Sequence, residues 1–437
     1  MRNTPIDPSV VKRKIEESGL SSLDSASIRE IVKLVSQIEK ESGEKFIRME
    51  MGVPGLPSPM AGIEAEKKAL DDGVTALYPN IEGLPRLKEE TSRFIKLFLD
   101  IDVDPKGCVP TVGSLMGGMV SFLVVNRNDS SKEGTLFIDP GFPVQKQQIK
   151  MLGQDYRSFD VYNYRGKKLG PKLESYLQTG KVSSILYSNP NNPSWICFTD
   201  EELKIIGQLA TKYDAVVIED LAYFGMDFRS DYATPGQPPY QPTVAKYCDN
   251  YILLVSSSKA FSYAGQRVGM MVISDQLYKR RYPDLLRYYT SDLFGHATVF
   301  GALYGLSAGV THTSQYGLAA MLKAVNDGEY NFIDELKEYG EKARMMKQMF
   351  ITNGFSIVYD TDIDRPIADG FYFTISFPGM SSGELLEKFL YYGISAITLN
   401  ITGSDKKEGL RACVSLIPRN MLPVLEMRLQ KFYDDFK

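Results

Sequence analysis

The chain has 437 residues, of which 43% are hydrophobic and 24% are charged, and its formal net charge is −4. This composition is typical of a soluble globular protein of two or three domains that can bury a core. The small negative charge, without a dense basic patch, argues against nucleic-acid binding. The four cysteines lack CxxC spacing, which predicts free thiols in a reducing compartment and a cytoplasmic protein. Because only two histidines are present, no metal site of the usual histidine type is expected.

The N-terminal segment lacks the apolar core of a signal peptide. Residues 22–42 carry apolar side chains at helical spacing, which predicts an amphipathic helix. We expect residues 1–50 to form an arm and a helix that pack on a smaller C-terminal domain.

Four short apolar runs in the middle of the chain predict buried parallel strands. A clear amphipathic helix over residues 201–213, opened by Thr199 or Asp200 as its cap, separates two of them. This alternation predicts an α/β fold with a large, doubly wound, mainly parallel sheet in a domain spanning residues 51–305. The four runs are residues 135–139, 183–189, 215–220 and 251–258.

After about residue 305 the pattern changes. A long helical region over residues 314–352 is followed by short strand and helix patterns, which predicts a smaller α/β domain over residues 306–437. Residues 293–322 carry no Asp, Glu, Lys or Arg, but Gly, Thr, Ser, Gln and both histidines interrupt them. We therefore expect buried helices there and no membrane span.

Each predicted strand is followed by residues that can take part in chemistry. Because ligands of an open parallel sheet bind outside the carboxyl ends of its strands, we expect these residues to meet in one crevice. That crevice would hold an aromatic ring, an amide, a carboxylate, a phenol, two hydroxyls and an amine. In chain order these are Phe142, Asn192, Asp220, Tyr223, Ser256, Ser258 and Lys259.

Lys259 is the key residue, because a lysine at a strand end can form a Schiff base with an aldehyde. An unperturbed lysine is neutral at pH 7 in only about one molecule in 2,500. Burial and a nearby cation such as Arg267 would move the equilibrium toward the free amine. If the aldehyde stands on a pyridine ring, Asp220 is placed to keep the ring nitrogen protonated.

The remaining groups of such a cofactor also find partners in the sequence. Tyr223 and Asn192 can donate hydrogen bonds to a phenolic oxygen on the ring, and Phe142 can stack on its face. A phosphate would be held by backbone N–H groups at the start of an apolar helix, together with hydroxyls and a guanidinium. These are Gly113, Ser114 and Leu115 at the helix start, with Ser256, Ser258 and Arg267.

In this order the motifs resemble those of the class I/II aminotransferase family of fold-type I pyridoxal-phosphate enzymes. The matching patterns are S-x-S-K at residues 256–259, G-x-R-x-G at 265–269, D-x-x-Y at 220–223 and N-P-x-N-P at 189–193. The resemblance runs from about Gly52 to Arg411 and implies pyridoxal 5'-phosphate as the cofactor. It also implies that Gly52 and Asn192 border the substrate, that Arg411 grips the substrate's α-carboxylate, and that Tyr78 reaches the active site of the neighbouring subunit in a homodimer.

The chain departs from the family at one turn. The family usually continues Asn-Pro with Thr-Gly, whereas this chain has Ser194-Trp195 after Pro193. Tryptophan in place of glycine reduces backbone freedom there. Trp195 is expected either to shape a substrate pocket or to pack outward.

The resemblance implies transamination, with an amino acid and a 2-oxo acid reacting in turn by a ping-pong mechanism through Lys259. The same residues would serve a lyase that eliminates a β-substituent or thiol, or a decarboxylase. A third possibility is a cofactor-sensing transcription regulator, which would carry a DNA-binding domain at its N-terminus. The roughly fifty residues before Gly52 are few and not basic, which argues against it. The region after Tyr288 offers Thr290, Ser291 and Asp292 instead of a second arginine, so aromatic, neutral or larger amino acids are expected ahead of aspartate and glutamate.

Overall fold

A computed structural model of the protein describes residues 4–437. Its helices are α1 (Pro8–Ser18), α2 (Ile28–Ser42), α3 (Met60–Asp71), α4 (Pro85–Leu99), α5 (Gly113–Val125), α6 (Pro143–Met151), α7 (Leu169–Leu177), α8 (Asp200–Lys212), α9 (Ser257–Ala260), α10 (Asp275–Lys279), α11 (Phe294–His296), α12 (Tyr304–Ser307), α13 (His312–Asn326), α14 (Phe332–Thr352), α15 (Ser382–Tyr391) and α16 (Leu422–Phe436). Its strands are β1 (Ile47–Arg48), β2 (Cys108–Thr111), β3 (Gly134–Asp139), β4 (Asp155–Asp160), β5 (Val182–Ser188), β6 (Val216–Leu221), β7 (Tyr251–Ser256), β8 (Gly269–Ile273), β9 (Ser356–Ile357), β10 (Thr361–Asp362), β11 (Arg365–Pro366), β12 (Tyr372–Ser376), β13 (Ile394–Ser395), β14 (Ile397–Thr398) and β15 (Leu410–Cys413).

The largest sheet within residues 4–437 has seven strands in the order β2-β8-β7-β6-β5-β3-β4. Strands β7, β6, β5, β3 and β4 run parallel to one another, whereas β8 is antiparallel to both of its neighbours. Every residue of β3, β5, β6, β7 and β8 is buried, as expected for a sheet covered by helices on both faces. The predicted doubly wound, mainly parallel sheet is confirmed.

The predicted elements of this sheet agree with the structure except at one strand end. The run expected to be extended to residue 258 stops at Ser256, because α9 begins at Ser257. The side chain of Ser256 accepts a hydrogen bond from the amide of Ser258, which caps that short helix. Helix α8 begins as predicted, with Thr199 as its cap and Glu202 completing the capping box.

A second sheet lies near the C-terminus and has the order β14-β15-β12-β9, with antiparallel pairing throughout. The long helical region expected over residues 314–352 is helical in the structure, but it consists of two helices, because residues 327–331 separate α13 from α14. Gly328 takes a φ of +74° in this break, and Asn331 then caps α14. A left-handed glycine followed by a polar cap ends one helix and begins another.

The N-terminal segment lies against the C-terminal part of the chain. Strand β1 pairs in parallel with β13, so that Ile47 lies beside Ile394. The amide of Ile6 donates to the carbonyl of Tyr391 at 3.1 Å, and Thr398 donates to the carbonyl of Asp24 at 2.7 Å. The division into residues 1–50, 51–305 and 306–437 stays a prediction, and these contacts are compatible with it.

The uncharged stretch over residues 293–322 forms α11, a π-helical segment over Ala297–Leu303, α12 and part of α13. Phe294, Val299 and Leu303 from this stretch lie in a buried hydrophobic cluster. Within residues 4–437, every helix is too short or too polar to cross a membrane.

Candidate active site

The carboxyl ends of β3, β5, β6 and β7 meet at one edge of the seven-stranded sheet, because these four strands are adjacent and parallel. A cavity of about 430 Å³ opens at this edge. The residues predicted from the sequence that border it are Gly52, Ser114, Leu115, Phe142, Asn192, Asp220, Tyr223, Lys259 and Arg411. The structure therefore brings together side chains up to 359 positions apart in the chain, from Gly52 to Arg411.

The cavity has two walls of different character. We give the name inner wall to the residues at or after the strand ends, namely Phe142, Asn192, Asp220, Tyr223 and Lys259. We give the name outer wall to a second group of apolar and basic residues, which come from α2, from the loop after β1 and from α6. The outer wall consists of Ile28, Arg29, Val32, Val53 and Val144.

Lys259 projects from α9 into the cavity. Burial lowers the pKa of Lys259, Asp220 opposes that shift, and the positive charges of Arg267 and Arg411 add to the lowering. A lower pKa increases the fraction of free amine at neutral pH. The expectation that burial and Arg267 favour the neutral amine is confirmed.

Asp220 stands at the end of β6, in the middle of the sheet. Its Oδ2 accepts a hydrogen bond from Nε2 of Gln145 at 2.9 Å, and its Oδ1 accepts one from the amide of Ala222 at 3.1 Å. Burial raises the pKa of Asp220 to about 6, against the lowering effects of these hydrogen bonds and of Lys259. A buried carboxylate held in this way is suited to bind a cationic N–H group.

The residues predicted to hold a phosphate lie near one another at one end of the cavity. Ser114 and Leu115 border the cavity, whereas Gly113, Ser256, Ser258 and Arg267 do not. Strand pairing places Ser256 beside Gly269 and Gly269 beside Thr111. A Cβ atom at Gly269 would lie 3.1 Å from the amide nitrogen of Ser114, and one at Gly113 would lie 2.4 Å from Nη2 of Arg267. The two glycines therefore leave space for backbone amides and a guanidinium to converge at the start of α5, as an anion-binding helix start requires.

Arg411 is a buried arginine of β15 without a carboxylate partner in the described part of the chain. Its Nη2 donates to the carbonyl of Glu50 at 2.6 Å and its Nη1 donates to Oδ1 of Asn192 at 3.3 Å. Its Nε donates to nothing within residues 4–437. A buried guanidinium of this kind is costly unless an anion pairs with it, so Arg411 is suited to bind an anionic group that enters the cavity.

Tyr223 extends from the end of β6 and donates its hydroxyl hydrogen to the hydroxyl of Tyr372 at 2.9 Å. Tyr372 lies on β12 and also borders the cavity. A Cβ atom at Gly52 would lie 1.9 Å from the Tyr372 hydroxyl, so any other residue at position 52 would displace that hydroxyl.

Trp195 neither borders the cavity nor packs outward. The side chain is fully buried, and its ring meets the edges of Tyr223 at 5.3 Å and of Tyr372 at 6.0 Å between centroids. Its backbone adopts a φ of +63°, the left-handed region that glycine would occupy without strain. The outward alternative is wrong, because Gly370 leaves open the space that the indole fills.

Tyr78 lies far from these groups in the single chain. Its side chain is 92% exposed and it does not border the cavity. It lies in a loop beside Leu77, which is 65% exposed. An exposed aromatic and leucine side by side are unusual for a free surface and fit a contact with another molecule.

Ten residues of the cavity were not predicted from the sequence, and four of them have polar side chains: Arg29, Gln145, Ser188 and Tyr372. Gln145 lies in the first turn of α6, and a helix that begins directly after a strand end points its first turn at the edge of the sheet. Arg29 belongs to the helix predicted over residues 22–42, where the apolar spacing indicates the buried face and says nothing of what the other residues face. Tyr372 stands in the strand pattern FYFTIS, which carries no signal of its own.

Residues 44–426 match the family model described as aminotransferase class I and II. A probable aspartate aminotransferase from Methanocaldococcus jannaschii is 25% identical over 365 residues, which cover 83% of this chain and 84% of that protein. An aspartate aminotransferase from Pyrococcus horikoshii is 25% identical over 74% of this chain and 78% of its own length. The fold is similar to that of aspartate aminotransferase from Thermotoga maritima, with a TM-score of 0.74 and 18% identity over 97% of this chain and 99% of that one.

Proposed function

The chain belongs to the aminotransferase class I and II family, which depends on pyridoxal phosphate, and from this premise we propose that its cavity moves an amino group from an L-amino acid to a 2-oxo acid. The observation that carries the proposal is the meeting of Lys259, Asp220 and Arg411 in one cavity. These three supply an amine, a buried carboxylate and a guanidinium without a carboxylate partner in residues 4–437.

The residues present fit the cofactor at each of its groups. Lys259 would hold the aldehyde carbon through its Nζ, Asp220 the ring nitrogen, Tyr223 and Asn192 the phenolic oxygen, and Phe142 the ring face. The phosphate would lie between Arg267 and the amides of Gly113, Ser114 and Leu115, with the hydroxyls of Ser256 and Ser258 beside them. When bound, the cofactor's protonated ring supplies an electron sink for the bond that breaks at the substrate's α-carbon.

Arg411 would bind the substrate's α-carboxylate. The planar guanidinium matches two carboxylate oxygens, and its bonds to Glu50 and Asn192 hold it in one orientation before the substrate arrives. Because the guanidinium is already oriented, less entropy has to be lost when the bound substrate reaches the transition state. Gly52 leaves room for the Tyr372 hydroxyl, which lies with Gly52 on the border of the cavity.

Lys259 would serve as both base and acid. Its Nζ would accept the proton from the substrate's α-carbon and would deliver that proton to the carbon of the aldehyde group that Lys259 holds at rest. Burial of the site and the neighbouring arginines lower the pKa of Lys259, so the amine is ready to accept a proton near neutral pH. A second oxo acid then reverses these steps in ping-pong order.

Transamination is favoured over elimination or decarboxylation. The relatives compared above carry the names of aminotransferases. No contact of the inner wall distinguishes an enzyme of the other two kinds, so the relatives decide between them.

The substrate side chain would lie along the outer wall. That wall is apolar at Ile28, Val32, Val53 and Val144, and Arg29 is its one charged residue. Within residues 4–437, Arg29 forms no ion pair or side-chain hydrogen bond. The residues after Tyr288 offer no second arginine, but Arg29 of α2 does. A second carboxylate on the substrate would bind to Arg29.

We also propose a homodimer in which Tyr78 reaches the neighbouring active site. Its exposure of 92% and its place beside exposed Leu77 support a buried role in an assembly. The free thiols support a reducing, cytoplasmic location. They are Cys108, Cys197, Cys248 and Cys413.

Replacing Lys259 with Ala tests the proposal. We expect Lys259→Ala to lose the visible absorbance of the cofactor linked to lysine and to lose multiple-turnover transamination by more than about a thousandfold, because the amine acts in every half-reaction. Lys33→Ala, which removes an exposed lysine of α2, is the matched control and should behave as the unaltered protein. Borohydride trapping followed by peptide mapping should label Lys259. Label on another lysine, or repeated turnover by Lys259→Ala, would contradict the assignment.

A further inference from the structure

Two tyrosine hydroxyls span the cavity from its cofactor end to its carboxylate end. Tyr223 lies at the end of β6 and Tyr372 lies on β12, and both are more than nine-tenths buried. The hydroxyl of Tyr223 donates to the hydroxyl of Tyr372 at 2.9 Å. The proposed function accounts for Tyr223 alone, and it leaves the hydroxyl of Tyr372 without a role.

Tyr372 lies at the carboxylate end. The guanidinium carbon of Arg411 is 4.4 Å from the centre of the Tyr372 ring, so the charge stacks on the aromatic face. Strands β12 and β15, which carry the two residues, are paired in the same sheet. The Tyr372 hydroxyl fills the space that the missing side chain of Gly52 leaves, on the border of the cavity.

The hydrogen of the Tyr372 hydroxyl is unused. A phenol donates one hydrogen and accepts others, and Tyr372 accepts from Tyr223 without donating to any group within residues 4–437. Burial raises the pKa of Tyr372 to about 12, with Arg411 opposing the shift and Cys413 adding to it, and burial also raises the pKa of Tyr223. Both hydroxyls are therefore protonated at neutral pH, and a ligand in the cavity can take the place of water as the acceptor of the unused hydrogen.

We propose that Tyr223 and Tyr372 form a reversible hydrogen-bond chain between a carboxylate on Arg411 and the cofactor's phenolic oxygen. Without a carboxylate, Tyr372 donates to Tyr223, and Tyr223 donates to the phenolic oxygen. With a carboxylate on Arg411, Tyr372 donates to it and Tyr223 donates to Tyr372. The phenolic oxygen then keeps only the donor from Asn192, whose Oδ1 is turned toward Arg411.

This inference rests on the proposed function and deepens it. Loss of one donor makes the phenolic oxygen more basic, and that oxygen stabilises the proton on the nitrogen that links Lys259 to the cofactor. Arrival of the substrate carboxylate therefore raises the pH at which the linkage loses its proton. One hydrogen bond accounts for about half to one pH unit of this rise. Toward the cofactor, Tyr372 is a positioning residue that acts through Tyr223.

The test is a pH titration of the visible absorbance of the cofactor-loaded protein, with and without 3-phenylpropionate. This ligand has a carboxylate but no amine, so it can occupy Arg411 without reacting. In the unaltered protein the ligand should raise the titration midpoint. In Tyr372→Phe the ligand-free midpoint should stay close to that of the unaltered protein, and the rise should be about half to one pH unit smaller.

Tyr392→Phe is the matched control for the loss of a buried tyrosine hydroxyl. Tyr392 is fully buried, and its hydroxyl bonds to Asp435 of α16, among residues that do not border the cavity. This variant should show the full rise. A rise in Tyr372→Phe equal to that of the unaltered protein would overturn the hydrogen-bond chain.

Tyr223→Phe gives a second, independent measurement, and it decides the matter if Tyr372→Phe does not bind the cofactor. It should raise the ligand-free midpoint, because the donor is always absent, and it should also reduce the rise caused by the ligand. The double variant should show no further reduction, since both changes cut the same chain. A full rise in Tyr223→Phe would overturn the inference, whereas an unaltered protein with no absorbance linked to Lys259 would overturn the proposed function as well.

Discussion

The two walls of the cavity are built in different ways. The inner wall stands on the ends of buried parallel strands, and Asn192, Asp220 and Tyr223 are almost inaccessible to solvent. The outer wall stands on α2, on the loop after β1 and on α6, and it includes Val53, which is 43% exposed, and Arg29, which is also exposed. Groups that shift protons need a dry and rigid setting, whereas groups that select a side chain need only to be within reach of it. We therefore expect substitutions in the inner wall to abolish activity and substitutions in the outer wall to change which substrates are used.

The largest effect is expected behind the inner wall, at Trp195. Trp195→Ala should lower the free energy of unfolding by about 3–5 kcal/mol, because it empties a fully buried site that supports Tyr223 and Tyr372. Trp195→Gly should be more stable than Trp195→Ala by about 1 kcal/mol, because glycine adopts a φ of +63° without strain. Urea unfolding of both variants measures the difference. Equal stability of the two would show that the backbone at this turn is not strained.

Asp220→Asn tests the inner wall itself. An amide cannot balance the charge on a protonated ring nitrogen, so we expect kcat/KM to fall by more than about a hundredfold. Gln145→Glu is the comparison variant. It keeps the carboxylate of Asp220 but replaces the amide that bonds to it at 2.9 Å with a second acid. Steady-state kinetics with a saturating cofactor give the result. A loss below tenfold in Asp220→Asn would remove Asp220 from its proposed role.

Arg411→Lys tests the carboxylate end. Lysine keeps the charge but loses the two-pronged geometry, so KM for the amino acid should rise by about 10- to 100-fold while kcat falls less. Arg428→Lys is the matched control, because Arg428 is also buried but bonds to the carbonyls of Lys45 and Gly393 away from the cavity. An unchanged KM in Arg411→Lys would place the α-carboxylate elsewhere.

The pKa of Asp220 predicts how cofactor binding depends on pH. In the cofactor-free protein burial raises this pKa to about 6, and only the ionised carboxylate pairs with a protonated ring nitrogen. Affinity should therefore be retained above pH 6 and should fall by about tenfold between pH 7 and pH 5. The relevant quantity is the affinity of the unaltered protein divided by that of Asp220→Asn, since the cofactor's own titrations cancel in this ratio. A ratio that does not change with pH would contradict the prediction.

The smallest effect is expected at the outer wall. Arg29→Ala should lower kcat/KM for dicarboxylic amino donors by about two- to fivefold and leave neutral donors unchanged, because an exposed charge pair contributes little. Lys33→Ala on the same helix removes an equal charge that does not border the cavity, and it is the control. A panel of amino donors, followed by bleaching of the cofactor absorbance, measures both. An equal loss for dicarboxylic and neutral donors would argue against a role in selection.

Sequence reasoning predicted the inner wall better than the outer one, for a physical reason. Asp220 and Lys259 follow apolar runs that can only be buried strands, and parallel strands place their carboxyl ends together. The chemistry of those ends could thus be assembled without knowing any tertiary contact. Strand bounds were less accurate, because Ser256 caps α9 and the strand therefore ends at Ser256, two residues before its predicted end.

The outer wall and Tyr372 depend on long-range packing, which local patterns do not encode. Helix α2 was predicted, yet its distance from the strand ends in the sequence hides that Arg29 faces them. Tyr372 lies in a short C-terminal strand, where it pairs with Cys413, 41 residues further on. The fate of Trp195 was equally hidden, because the space for its ring is left by Gly370, 175 positions away.

One stretch of backbone joins the carboxylate end to the outer wall. Residues 47–50 pair with β13 through Ile47, accept the amide of Cys413 at the carbonyl of Met49, and accept Nη2 of Arg411 at the carbonyl of Glu50. Helix α2 ends at Ser42, shortly before this stretch, and Val53 follows shortly after it. If the C-terminal part moves against the seven-stranded sheet, the guanidinium of Arg411 and the outer-wall residues of α2 must therefore move together. Lys259 would stay in place with the sheet.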